Sequence, residues 1–184
     1  KGDGTAEHLV ALVRDKKAVG GKDIGLGNRN AIDGLIACHS VVMDVTAGRI
    51  WVGAWPNAEG AFLCFDLNAE LAAPRGQELT DEIPADSLMT GGGWQRVLQS
   101  RRAQNDAIEA LHQGKLDQAK TAAERAVQLN EHFYFGHELL GRALLLSGEK
   151  AAAKQEFQRA LQLDPPYKKR REELQKLVRD CSPG

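Results

Sequence analysis

The sequence predicts an α+β chain, a short β-rich segment followed by an all-α array of helical hairpins, and three observations carry that prediction. Gly, Val and turn residues dominate before residue 90, and Ala, Leu, Gln, Glu, Lys and Arg at helical spacing dominate after it. Gly114 and Gly148, Ala119 and Ala153, and Ala126 and Ala160 stand at one common offset of 34 residues. A fixed period of this size marks stacked supersecondary units. Met89-Thr90-Gly91-Gly92-Gly93 is the natural break between the two parts, which puts one domain at 1–90 and the other at 91–184.

In the first part, Thr5 caps a helix through about Arg14, with Leu9, Val10, Leu12 and Val13 as its apolar face. Gly20 to Asn30 is a glycine-rich loop. Leu35 to Asp44 reads as a strand, Ile50 to Trp55 as its hairpin return, and Ala61 to Phe65 as a third strand. One face of the first strand carries Leu35, Ala37, His39, Val41 and Met43, the other Ile36, Cys38, Ser40, Val42 and Asp44. Both are largely apolar, so a covering layer is expected on each side. Three strands and a short helix do not supply two layers. The missing one is expected from partners that this chain does not contain or from a second copy in a homo-oligomer. Asn68 to Ser87, polar and carrying Pro74 and Pro84, reads as a connector.

Composition excludes several classes. With 42% hydrophobic and 27% charged residues among 184, the chain reads as globular. A net charge of -1 gives no electrostatic case for nucleic acid, and no apolar run is long enough for a membrane span. Lys1-Gly2-Asp3-Gly4 holds neither an initiator Met nor a signal core, so the chain is expected to start inside a longer protein or to have been trimmed, and compartment stays open. Cys38, Cys64 and Cys181 are odd in number and lack a Cys-x-x-Cys, which indicates neither a disulfide framework nor a zinc knuckle. Two are expected buried in strands and one in a tail. His8, His39, His112, His132 and His137 show no ligand spacing, so no metal is expected. Gly25-Leu26-Gly27-Asn28-Arg29-Asn30 lacks the third glycine of a dinucleotide loop, and Gly20-Gly21-Lys22 lacks the P-loop spacing, so no cofactor is expected either.

In the second part, Ala123 to Asn130 aligns with Phe157 to Asp164 at the same offset. These residues resemble the tetratricopeptide repeat (TPR) family. A repeat from Tyr134 carries Leu140, Gly141, Leu144, Gly148, Ala153, Phe157, Ala160 and Pro165, with His137 where an aromatic is usual. A repeat from Ser100 carries Ala107, Gly114, Ala119, Ala123 and Ala126, but has Asp106 for the usual Leu and Glu131 for the usual Pro. The repeats are placed at about 100–133 and 134–167, with a capping helix at 167–179. That helix presents Leu174, Leu177 and Val178 inward and Lys168 to Glu173 to solvent. The resemblance implies a scaffold that binds a polypeptide in a concave groove. By repeat position the groove holds Gln104, Ile108, Leu111, His112, Phe135, Glu138, Arg142 and Leu145. The Lys/Asn/Arg clamp by which some TPR domains grip a C-terminal carboxylate is not matched. The expected occupant is a polypeptide partner or the remainder of the same protein.

Asp23 to Ile32, Cys38 to Asp44, Arg49 to Val52 and Ala61 to Asp66 resemble the C-terminal end of the isopenicillin-N acyltransferase-like family. That family belongs to the N-terminal-nucleophile (Ntn) hydrolases, with an αββα sandwich. The resemblance implies an amide-cleaving or acyl-transferring parent whose nucleophile is a cysteine at a self-cleaved N-terminus. This chain begins with Lys1, so the nucleophile is expected upstream, no catalytic residue is assigned here, and the chain alone is expected to be inactive. Asn28 and Arg29 are the candidate substrate contacts, Arg29 for an oxyanion. The competing reading is a loop braced by Asn side chains on backbone. The functional expectation is a polypeptide-binding TPR module attached to the C-terminal strands of an Ntn-type domain. The alternatives are a fragment of an autoprocessing acyltransferase or amide hydrolase, and a structural oligomerisation protein.

Overall fold

Thr5 opens the first helix as its position requires. Its Oγ1 accepts from the His8 amide at 3.3 Å, and α1 runs Ala6–Val13. A computed structural model describes residues 4–73 and 78–182 of the chain. It divides into two units: residues 1–15 with 32–93, and 16–31 with 94–184.

In the first unit, β1 (Val41–Asp44), β2 (Arg49–Gly53), β3 (Phe62–Asp66) and β4 (Glu78–Ile83) form an antiparallel meander in that order. The β1–β2 turn closes because Asp44 Oδ1 accepts from the Thr46 and Ala47 amides, each at 2.9 Å. Register follows, with Asp44 opposite Arg49 and Val42 opposite Trp51. Val42, Trp51, Phe62, Cys64 and Ile83 pack with Val10 of α1 into one core. Phe62 and Cys64 are fully buried. Arg14 ties the loops beside this core together, donating to the carbonyls of Ala58, Gly60 and Pro84 at 2.8 to 2.9 Å while its guanidinium lies over the Phe62 ring.

The structure differs from the expected β segment in four ways. The first strand is four residues long, not ten: Leu35 has a φ of 52°, and Asp33 Oδ1 accepts from its amide at 2.9 Å, which holds a turn where the strand was expected. Within this unit's described residues the sheet has one covered face. Val41 and Met43 on β1 and Val52 on β2 share the other face and are exposed. The expected connector supplies α2 (Leu67–Ala72), β4 and α3 (Ser87–Thr90), while Pro74 lies outside the described residues. Cys38 is exposed and outside any strand, and Cys181 is buried in the helical core and not in a tail. Only Cys64 sits buried in a strand. Burial pushes its thiol up and Asp81 adds to this, against the pull of Arg49.

The helical array comprises α4 (Gly93–His112), α5 (Leu116–Leu129), α6 (Tyr134–Leu146), α7 (Lys150–Gln162) and α8 (Lys168–Asp180). Its two hairpins close identically. Lys115 N donates to Ala110 O, and Glu149 N donates to Leu144 O, both at 2.9 Å. Gly114 and Gly148 supply the left-handed residue at φ 69° and 84° that this helix ending demands. The helices approach closely through small residues, with Ala107, Ala123, Ala153 and Ala160 fully buried. A Cβ on Gly141 would stand 2.6 Å from a ring carbon of Phe157, itself fully buried, so the glycine makes room for the ring. Leu163, Leu174 and Cys181 extend the same core to α8. His137, at the position expected to be aromatic, is buried with its ring nitrogens 2.7 Å from Glu156 Oε2 and 2.8 Å from Glu131 O. Among the described residues no helix is long and apolar enough to cross a membrane, and no three His, Cys, Asp or Glu side chains are grouped to hold a metal ion.

Candidate functional site

One face of α6 gathers Phe135, Glu138, Leu139, Arg142, Leu145 and Leu146, at steps of three and four residues. Ile108, Leu111 and His112, at the same spacing on α4, face it, and Arg170 and Leu177 of α8 complete the wall. Together they enclose an open groove of about 430 Å³. Seven of the eight residues expected by repeat position line it. Gln104 does not: it is buried, and its amide donates to Ser100 Oγ at 3.1 Å, which in turn donates to Ala126 O at 3.2 Å. This pair ties α4 to α5, and it follows from Ser100 and Gln104 lying one helical turn apart.

The charge in the groove centres on Glu138, which is 1% exposed. Its Oε1 accepts from Arg142 Nε at 3.0 Å, Arg142 Nη2 at 2.9 Å and Arg170 Nη1 at 2.7 Å. Its buried Oε2 has no hydrogen-bond partner among the described residues. Arg170 also lies 5.7 Å over the Phe135 ring. Beside it, burial pushes the Tyr134 phenol up while Arg170 pulls it down. The expected solvated face of α8 is therefore corrected. Arg170 shares a helix face with Leu174 and Leu177 and turns into the groove, and Arg171 donates to Pro165 O at 2.7 Å. The signal was present as the spacing of residues 170, 174 and 177. Read as a block, the Lys-Lys-Arg-Arg run conceals it.

Asn28 and Arg29 lie in the segment 16–31, which belongs to the helical unit. Asn28 is fully buried. Its Nδ2 faces the carbonyls of Ile24, Leu163 and Asp164 at 3.1 to 3.3 Å, and its Oδ1 accepts from the Asn30 amide at 3.0 Å. Lys22 Nζ donates to Gln162 O at 2.7 Å. The Gln162, Leu163 and Asp164 carbonyls lie at the α7 C-terminus, where a helix leaves its last carbonyls unpaired, and a cation there complements the helix dipole. Asn130 accepts from the Leu26 amide at 3.2 Å and donates to its carbonyl at 2.8 Å. Asp23 pairs with His132 at 2.6 Å. Burial raises the Asp23 carboxyl, but the Gly25 amide and His132 outweigh it and hold it below the ordinary value. Arg29 Nη1 donates to the Tyr167 hydroxyl at 3.0 Å. The segment is thus a strap across the α5–α6 and α7–α8 turns, and Asn28, expected as a substrate contact, has its amide engaged with backbone inside it.

No curated protein and no solved structure is significantly similar to the chain. One family model does match, and it covers α6, α7 and the turn that follows them, the elements that carry Glu138, Arg142 and most of the groove's apolar wall. The chain carries a tetratricopeptide repeat at residues 134–167.

Proposed function

We propose that the chain is a polypeptide-binding module and that the groove along α6 is its contact surface. The observation that supports this is the convergence of Ile108, Leu111, Phe135, Leu139, Leu145 and Leu177 on one open concavity. An apolar concavity with a few convergent polar groups is the usual form of a binding site, and such repeats commonly bind polypeptides. Leu146 stands 61% exposed at the lip, so Leu146→Asp places a charge in the groove without disturbing the core. Short peptides selected from a random display library on the full chain should lose at least about tenfold in affinity for this variant. Retention of full affinity, with the fold intact by circular dichroism, sinks the reading.

A second reading, that the sheet is the terminal layer of an Ntn-type domain, draws on the open apolar face of Val41, Met43 and Val52. Such a face suits a second sheet. A dye that fluoresces on apolar surface should bind the chain and be displaced by Met43→Lys. Absence of dye binding counts against it. Turnover of an amide substrate by this chain alone would overturn the expectation that the nucleophile lies elsewhere.

A further inference from the structure

Resting on the groove as a peptide site, we infer that its ligand is an extended peptide segment with an acidic side chain flanked on both sides by apolar residues. Three observations lead there. Arg142 and Arg170 face a single carboxylate, Glu138, so the groove carries an excess of one positive charge. Their hydrogen bonds and ion pairs converge on one oxygen, Glu138 Oε1. Arg170 donates to it through Nη1 alone, and each guanidinium has five N–H donors. The two side chains are 39% and 33% exposed, so donors remain accessible from the groove. A ligand carboxylate meets both guanidiniums, whereas a ligand ammonium meets them as like charges.

The order along α6 sets the flanking residues. Phe135 lies before the Glu138/Arg142 pair and Leu145 and Leu146 lie after it. At about 1.5 Å per residue the span from Phe135 to Leu146 is roughly 16 Å. An extended chain covers that length in about five residues. Apolar positions on both sides of the charge require the carboxylate to be inside the segment. This favours a side chain over a chain terminus as its source.

The test uses the full chain and a synthetic library of peptides about nine residues long, acetylated and amidated at their ends. The central position is Asp, Glu, Asn, Gln or Lys, and the flanks are drawn from Leu, Ile, Val, Met and Phe. Fluorescence anisotropy should show the acidic peptides binding at least about tenfold tighter than their amide counterparts, as expected for hydrogen bonds to a charged group. The preference should shrink as salt rises and vanish in Arg142→Gln and in Arg170→Gln. If either variant is unfolded, the salt dependence of the unaltered chain decides alone. Equal binding of acidic and amide peptides, lost in Leu146→Asp, overturns the inference and keeps the groove. Tighter binding of the Lys peptides also overturns it, assigning the recognition to the unpartnered oxygen of Glu138. A second set of neutral peptides is left with a free C-terminus, and a preference confined to that set overturns the inference and transfers the site to a terminal carboxylate. Concentration-dependent self-association abolished by Leu146→Asp names a second copy as the occupant. Binding by none of the peptides removes the groove reading itself.

Discussion

The sheet unit and the helical unit solve the problem of burying apolar surface differently. The helical array closes its core on itself: Phe157, Ala160, Leu174 and Cys181 are all within a few per cent of full burial, and α8 seals its end. In the sheet unit a single short helix covers one face, and Val41 and Met43 on the other are 43% and 56% exposed. The first pattern is that of a scaffold that spends its apolar residues on its own stability and leaves only a groove. The second leaves Val41, Met43 and Val52 exposed on one sheet face. The comparison teaches that an element count does not measure completeness; what matters is whether each apolar face meets another.

Substitutions test that contrast. Phe157→Ala should have the largest effect, about 3–5 kcal/mol of lost stability in denaturant melts of the helical signal, because a fully buried ring leaves a cavity. A loss below about 1 kcal/mol would mean that the array is looser than its burial suggests. Asn28→Ala should cost about 1–3 kcal/mol, since it removes a fully buried amide that donates toward three backbone carbonyls. A neutral result would mean that the strap contributes nothing to the helical unit. Met43→Lys, on the open face, should change stability by less than about 0.5 kcal/mol. A destabilisation of several times that value would show the face to be covered in solution.

Asp23→Asn should give a small effect that depends on pH. The Asp23 carboxyl is held below its ordinary value, so its contribution is complete above the unfolded-state value and is lost as pH falls through the folded one. Both partners are partly exposed. The variant should therefore be weaker by less than about 1 kcal/mol at neutral pH. Its melts should converge with those of the unaltered chain in acid. A gap that widens on acidification would contradict the pairing.

The repeat was legible because close helix packing demands small side chains at the same place in each unit, so Ala119 and Ala153, or Gly114 and Gly148, recur at one interval. The groove residues on α4 and α6 followed from the repeat positions that the tetratricopeptide resemblance implies. Gln104 escaped because a repeat position does not reveal a neighbouring Ser100 that captures the side chain. Arg170 escaped inside a charge run. The ten-residue strand was over-read because alternating apolar residues do not report a positive φ at Leu35. Bracing of the loop by Asn side chains on backbone was legible as the competing reading, but its distant partners were not: Asn28 meets backbone 135 and 136 residues away, and carbonyl partners leave no trace in side-chain type.

The strap has one further consequence. The polypeptide passes from one unit to the other at three points, near residues 15, 31 and 93, so neither unit is a continuous stretch of chain. A truncation beginning at Trp94 would uncap the α7 C-terminus and strand Asn130 and His132 without their partners. Transplanting the repeat into another protein thus requires sixteen residues from far upstream, supplied in cis or as an added peptide.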